Sequence, residues 1–294
     1  MNLDSFIQRN RLPDEFAESA ENYFFPFAEW LQTQLAGKHG ETYVLGVNGA
    51  QGTGKSTLAQ LISEYLAREH GRKVVVLSID DIYLTRKERE ALGQSIHPLL
   101  KTRGVPGTHD VALGAAVIKR LRTLRQGNAV DVPRFDKSSD DRCAPVDWPT
   151  VAGPVDLVIF EGWCVGSQAT TEAELQEPVN ALEASQDSDG RWRRYVNDKL
   201  GNEYAELFQE LDSLLFLKVP DFEAVQRWRL EQEQKLRQSA GKNATAVMSD
   251  EEVVEFIQYY ERITRENLHV LPSIADAVIE LDDNHQAISL NYPN

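Results

Sequence analysis

Cysteine is close to absent. Cys143 and Cys164 are too few for a disulfide framework and offer no metal-ligand spacing, so two free thiols in a reducing compartment are expected. Long apolar runs are missing too, and no stretch reaches the roughly 18 residues that a membrane span needs. Positive charge is in deficit, with 31 Lys and Arg against 46 Asp and Glu, for a formal net charge of −15. That balance disfavours nucleic acid or an anionic membrane as the main partner, yet leaves room for a small anion held in a local basic pocket. There is no internal repeat and no long low-complexity tract. The opening stretch, MNLDSFIQRNRLPDEFAESAENYFF, carries acids early and has neither a continuous apolar core nor the acid-poor, Arg-rich character of an import peptide. A cytoplasmic setting is therefore expected.

What remains is a chain of 294 residues, 41% of them apolar, enough for one large α/β domain over residues 1–294. Five apolar segments read as strands: TYVLGVN, RKVVVLSIDD, VDLVIFEG, LDSLLFLKVP and ADAVIELDD. Helical patterns separate them, which predicts a mainly parallel five-stranded sheet covered by helices on both faces, with ligands beyond the carboxyl ends of the strands. An N-terminal helical region spans about 1–40, clearest over 13–36 and interrupted near Pro26. Residues 170–190 are acidic and poor in large apolar side chains, and read as a solvated excursion. Residues 238–249 join two helical segments, Ser249 and Glu252 are spaced as a capping box, and 221–249 forms a candidate lid.

One loop carries the chemistry. In GVNGAQGTGKST, Gly49, Gly52, Gly54, Lys55 and Ser56 match GxxxxGK[ST] between a strand and a helix. Glycines let successive N–H groups turn toward phosphate, the helix N-terminus adds positive potential, the lysine reaches the outer phosphates and the hydroxyl meets Mg²⁺. The expected nucleotide site is Gly49, Ala50, Gln51, Gly52, Thr53, Gly54, Lys55, Ser56 and Thr57, with ATP and Mg²⁺ as cofactors. A guanine-reading NKxD segment and a transporter-type LSGGQ signature are both absent, which leaves the P-loop NTPase kinase fold and small-molecule kinases in front.

A kinase of that kind needs an acid near the acceptor hydroxyl and cations around the transferred group. Asp80 and Asp81 end the second strand, where either can serve as base, hold Mg²⁺ through water or cap the next helix. Glu161 ends the third strand, placed to bind Mg²⁺ with Ser56. HPLLKTRGVPGTHD carries His97, Lys101, Arg103, His109 and Asp110, and VPRFDKSSDDR carries Arg134, Asp136 and Lys137. Farther on, DFEAVQRWRLEQEQKLR presents Arg227, Arg229, Lys235 and Arg237. Because Arg227 and Arg229 are two apart on a helix, at most one is expected to face the nucleotide.

Taken together, the phosphate loop, SIDDIYLTRKERE, HPLLKTRGVPGTHD, VPRFDKSSDDR, FEGWCVG and WRLEQEQKLR resemble the D-glycerate 3-kinase family of phosphate-loop kinases, related to phosphoribulokinase, uridine kinase and pantothenate kinase. The resemblance runs from about residue 43 onward and implies Mg²⁺- and ATP-dependent phosphorylation of a small anionic acceptor, D-glycerate. It favours Asp80 over Asp81 as base, through DDIY, and puts Lys55, Arg227 and Arg229 with it in the catalytic set. It implies Ser56 and Glu161 at the metal, and Asp81, Tyr83, Arg103, His109, Arg134 and Lys137 around the acceptor. Ile82 departs from the Phe more usual in this group. A kinase for an acceptor without a carboxylate, or an ATP-binding regulator without a small acceptor, are the rival functions, and the oligomeric state stays open.

Overall fold

The structure, a computed structural model, describes residues 1–38, 40–240 and 248–293. Its ten strands are β1 Tyr43–Gly49, β2 Val74–Ser78, β3 Ala129–Asp131, β4 Phe135–Asp136, β5 Asp141–Arg142, β6 Thr150–Ala152, β7 Leu157–Gly162, β8 Ser213–Lys218, β9 Ala277–Leu281 and β10 Ala287–Asn291. Six of them make one sheet in the order β10-β9-β8-β1-β7-β2, while β3 pairs with β6 and β4 with β5 as short ribbons. The five expected strands are all present and parallel to one another. Every residue of β1 and of β7 is buried, as befits inner strands with helices on both faces.

The sixth strand, β10, runs antiparallel to β9 along one edge and was not expected. Its residues range from buried Ala287 to exposed Ile288 and are mixed in polarity, so neither an apolar run nor clean alternation marks it. The N-terminal residues hold it in place. Ser19 Oγ accepts the amide of Ala287 at 3.0 Å, and the hydroxyl of Tyr23 donates to the carbonyl of Ile288 at 2.9 Å.

Those N-terminal residues form a helix at Leu3–Asn10, then a second helical stretch in which a π segment, Ala20–Phe24, passes into the α-helix Phe25–Gly37. The expected interruption near Pro26 is this change of winding. Pro26 lies at the junction, in the first turn of the α-helix, where its missing N–H breaks the hydrogen-bond ladder from the π segment. Phe6, Phe27 and Leu31 are fully buried in the same core as the sheet.

The 170–190 region is less solvated than its composition suggests. It contains the helix Ala181–Gln186, whose buried Glu183 takes Arg262 of the helix Asp250–Ile274 at 2.6 Å. Two residues that looked like surface acids, Glu183 and Asp187, are in fact buried ion-pair members. The capping box is formed, Ser249 Oγ accepting the amide of Glu252 at 3.1 Å and the Glu252 carboxylate the amide of Ser249 at 2.7 Å. Residues 241–247 of the candidate lid lie outside the described residues. Among the described residues no helix is long and apolar enough to cross a membrane.

Candidate active site

In the sheet β1 lies between β7 and β8, so the loop that follows β1 opens at the centre of the carboxyl edge. The loop closes on itself: the carbonyl of Ala50 accepts the Thr53 amide at 3.3 Å and its hydroxyl at 2.9 Å. Gly52 and Gly54 take φ of +84° and +80°, a region that side chains resist, and the helix Lys55–His70 starts immediately after. A Cβ on Gly52 would sit 3.0 Å from the Cβ of Trp228, so the helix Phe222–Ala240 rests directly on the loop. Gly49, Ala50 and Thr53 shape the turn, whereas Gln51, Gly52, Gly54, Lys55, Ser56 and Thr57 face a cleft of about 1330 Å³.

Beside the loop, parallel pairing of β1 with β7 carries Glu161 to the level of Val47 and that of β7 with β2 sets Ser78 against it. The hydroxyl of Ser56 donates to Glu161 Oε1 at 2.9 Å, while Glu161 Oε2 is buried with no partner. A hydroxyl beside a carboxylate with one unused oxygen fits Mg²⁺, which takes one or two protein oxygens and completes its shell with phosphate and water. Among the described residues no group of three or more His, Cys, Asp or Glu could hold a metal unaided.

Beyond β2 the chain turns through the short helix Ile79–Ile82, with Ser78 Oγ accepting the Asp80 amide at 3.2 Å. The carboxylate of Asp80 accepts the Tyr83 hydroxyl at 2.8 Å and Lys137 Nζ at 2.6 Å. Burial opposes its ionisation, but Lys137 and Lys55 outweigh burial and hold the carboxyl below its ordinary value. Asp81 differs: burial raises it despite Arg134, whose Nη1 lies 3.1 Å away. Of the two acids, Asp80 is the one held by Lys137 and within the field of Lys55 of the phosphate loop, whereas Asp81 pairs with Arg134.

Three expected site residues are placed otherwise. His109 is buried behind Tyr83, its ring stacked on the phenol at 4.4 Å and its Nδ1 2.6 Å from the Tyr204 hydroxyl. That hydroxyl also accepts the Gly107 amide at 2.9 Å. Burial lowers the imidazole to about 3, so it is neutral and cannot act as a cation for the acceptor. Arg134 is spent on Asp81 and does not line the cleft. Arg227 points out to Asp283, while Arg229 turns into the cleft, 2.6 Å from Glu233. The expectation that only one of these arginines faces inward therefore resolves to Arg229.

Arg103, Lys101 and Lys137 line the same cleft as the phosphate loop, with Asp80, Asp81 and Tyr83. Arg103 pairs with Asp140 and lies over Phe135, 5.6 Å from the ring centre. Sequence reasoning missed the group that organises this wall. Arg89 is buried and donates to the carbonyls of Leu84, Lys101 and Asp140 at 3.2, 2.8 and 2.7 Å. It ties three segments together and pairs with the Asp140 carboxylate at 3.0 Å. In the sequence it stands among TRKERE charges and looks solvated. Tyr260 and Trp163 close the same end, Trp163 Nε1 donating to the carbonyl of Gly104 at 2.9 Å.

This geometry has relatives. Over residues 16–85 the chain matches the family model for methylmalonyl Co-A mutase-associated GTPase MeaB, a span that contains the phosphate loop and β2. The uncharacterized kinase mug58 of Schizosaccharomyces pombe is 36% identical over 235 residues, covering 75% of this chain and 79% of that one. The chloroplastic D-glycerate 3-kinase of Arabidopsis thaliana is 30% identical over 314 aligned positions, 98% of this chain and 65% of that one. Among solved structures, the D-glycerate 3-kinase of Cryptococcus neoformans superposes with a TM-score of 0.78 at 25% identity, covering 92% of this chain and 98% of that one.

Proposed function

Since this chain belongs to the D-glycerate 3-kinase family of phosphate-loop kinases, we propose that it transfers the γ-phosphoryl group of ATP to a hydroxyl of D-glycerate. The observation that carries this reading is the acceptor end of the cleft, where an ionised Asp80 stands between Lys55 and a wall of Lys101, Arg103 and Lys137. In a protein of net charge −15 such a cation group suits a small carboxylate.

In this mechanism the loop amides and Lys55 hold the β- and γ-phosphates, and Ser56 and Glu161 would hold Mg²⁺, which supplies positive charge to the phosphate oxygens when bound. The cation wall takes the acceptor carboxylate. Lys137 leaves Asp80 for the incoming anion, which frees a carboxylate oxygen for the acceptor hydroxyl. As the hydroxyl oxygen bonds to the γ-phosphorus and the bond to the ADP oxygen breaks, the hydroxyl proton passes to Asp80. Arg229 faces the developing negative charge from the roof.

The test is ADP release by the purified protein with MgATP, alone and with D-glycerate, L-glycerate, uridine, pantothenate or ribulose 5-phosphate. Strong stimulation by D-glycerate alone is expected. Stimulation by another acceptor would refute the substrate and keep the kinase, and stimulation by none would favour an ATP-dependent regulator.

A further inference from the structure

The sheet order divides the cleft into two ends. On one side of β1, β7 and β2 bring Glu161 and Asp80 to the phosphates; on the other, β8 and β9 lead into Trp228 and His285. The acceptor end has a chemistry already described, while the opposite end is built from rings.

Trp228 comes from the helix after β8. It is buried beside Gly52 of the phosphate loop, and its Nε1 donates to the carbonyl of Asp283 at 3.0 Å. His285 comes from the turn between β9 and β10, at φ +64°, a conformation rare for a residue with a side chain. Asp282 stabilises that turn by accepting the amides of Asn284 and Gln286 at 2.8 and 2.9 Å. The result is an imidazole lying flat on the indole, ring centres 4.0 Å apart and planes 28° from parallel. Partial burial lowers the imidazole below its ordinary value, leaving a neutral ring rather than another phosphate-binding cation. Arg11, from the turn after the first helix, lines the same cleft and makes no ion pair among the described residues.

We infer that His285, backed by Trp228, is the platform on which the nucleobase of ATP stacks, with Arg11 over the open face of the base. A flat neutral ring beside the loop offers the stacking that phosphate contacts cannot supply, and a guanidinium completes the sandwich. The inference rests on the reading of the loop as an ATP site, and its test separates the two.

Calorimetric titration with MgATP and with magnesium tripolyphosphate, which has no base, would be run on the wild type, His285→Asn and Arg11→Gln. Asparagine tolerates the left-handed backbone, so the turn should survive. His285→Asn is expected to weaken MgATP roughly ten- to a hundredfold, the range of one base stack, with tripolyphosphate within about twofold. Arg11→Gln is expected to do the same, severalfold. Unchanged MgATP affinity in His285→Asn, or equal weakening of both ligands, would overturn the platform. A wild type that binds neither ligand would instead overturn the ATP site itself.

Discussion

Lowering the pH from about 7.5 to about 5.0 should cost this protein stability through one side chain, His109. In the folded chain burial takes its pKa from 6.5 to about 3, because protonation would put a charged ring behind Tyr83 with Nε2 unpartnered. In the unfolded chain the ring titrates normally. Between those two values the unfolded state binds a proton that the folded state refuses, so stability is fully present above 6.5 and falls as the pH drops toward 3. At about pH 5.0 the proton has been refused over roughly 1.5 pH units, which at about 1.36 kcal/mol per unit costs about 2 kcal/mol. Urea denaturation of the wild type and of His109→Gln at both pH values isolates the effect, because other groups, including His285, titrate in both proteins. The wild type should lose about 2 kcal/mol more than the variant over that interval. Equal losses, or a greater loss in the variant, would refute the neutral buried imidazole and revive His109 as a charged acceptor ligand.

Three further substitutions test the site directly. Asp80→Asn should lower kcat by roughly 10²- to 10⁴-fold while MgATP affinity by calorimetry stays near wild type, and a turnover within about threefold of wild type would remove Asp80 as the base. Arg229→Ala should reduce kcat by on the order of tenfold or more, whereas Arg227→Ala, which loses only an exposed pair with Asp283, should stay within about twofold; the reverse ranking in steady-state assays would contradict the inward orientation. Glu161→Gln should raise the Mg²⁺ concentration for half-maximal activity by roughly tenfold, and an unchanged Mg²⁺ titration would take Glu161 out of the metal site.

The five parallel strands and the phosphate loop were legible because their signals are local. Continuous apolar runs mark strands buried on both faces, and a glycine pattern before GKS allows few other meanings. Asp80 and Glu161 were legible through position, as polar residues ending such runs. The remaining parts depend on contacts between distant segments. Nothing near Arg89 in the sequence shows that Lys101 and Asp140 will bring their carbonyls to it. His109 looks like a polar ligand until Tyr204, 95 positions later, arrives at its Nδ1. Arg227 and Arg229 illustrate the boundary between the two cases. Helix geometry says that they diverge, but only Asp283 on the β9–β10 turn shows which one faces outward.

The grip of Ser19 and Tyr23 on β10 has a consequence for how the chain is made. A ribosome produces those residues some 268 positions before the strand they hold. Until β10 emerges, Ser19 and Tyr23 lack the partners they hold in the finished fold, and β9 presents a row of unpaired backbone groups to whatever is nearby. The β9–β10 pairing itself is a local hairpin, whereas its anchoring by Ser19 and Tyr23 is a long-range contact that forms only once the end of the chain is available, of the kind that slows folding. A truncation that removes the first two dozen residues would leave β10 paired with β9 but without the contacts of Ser19 and Tyr23.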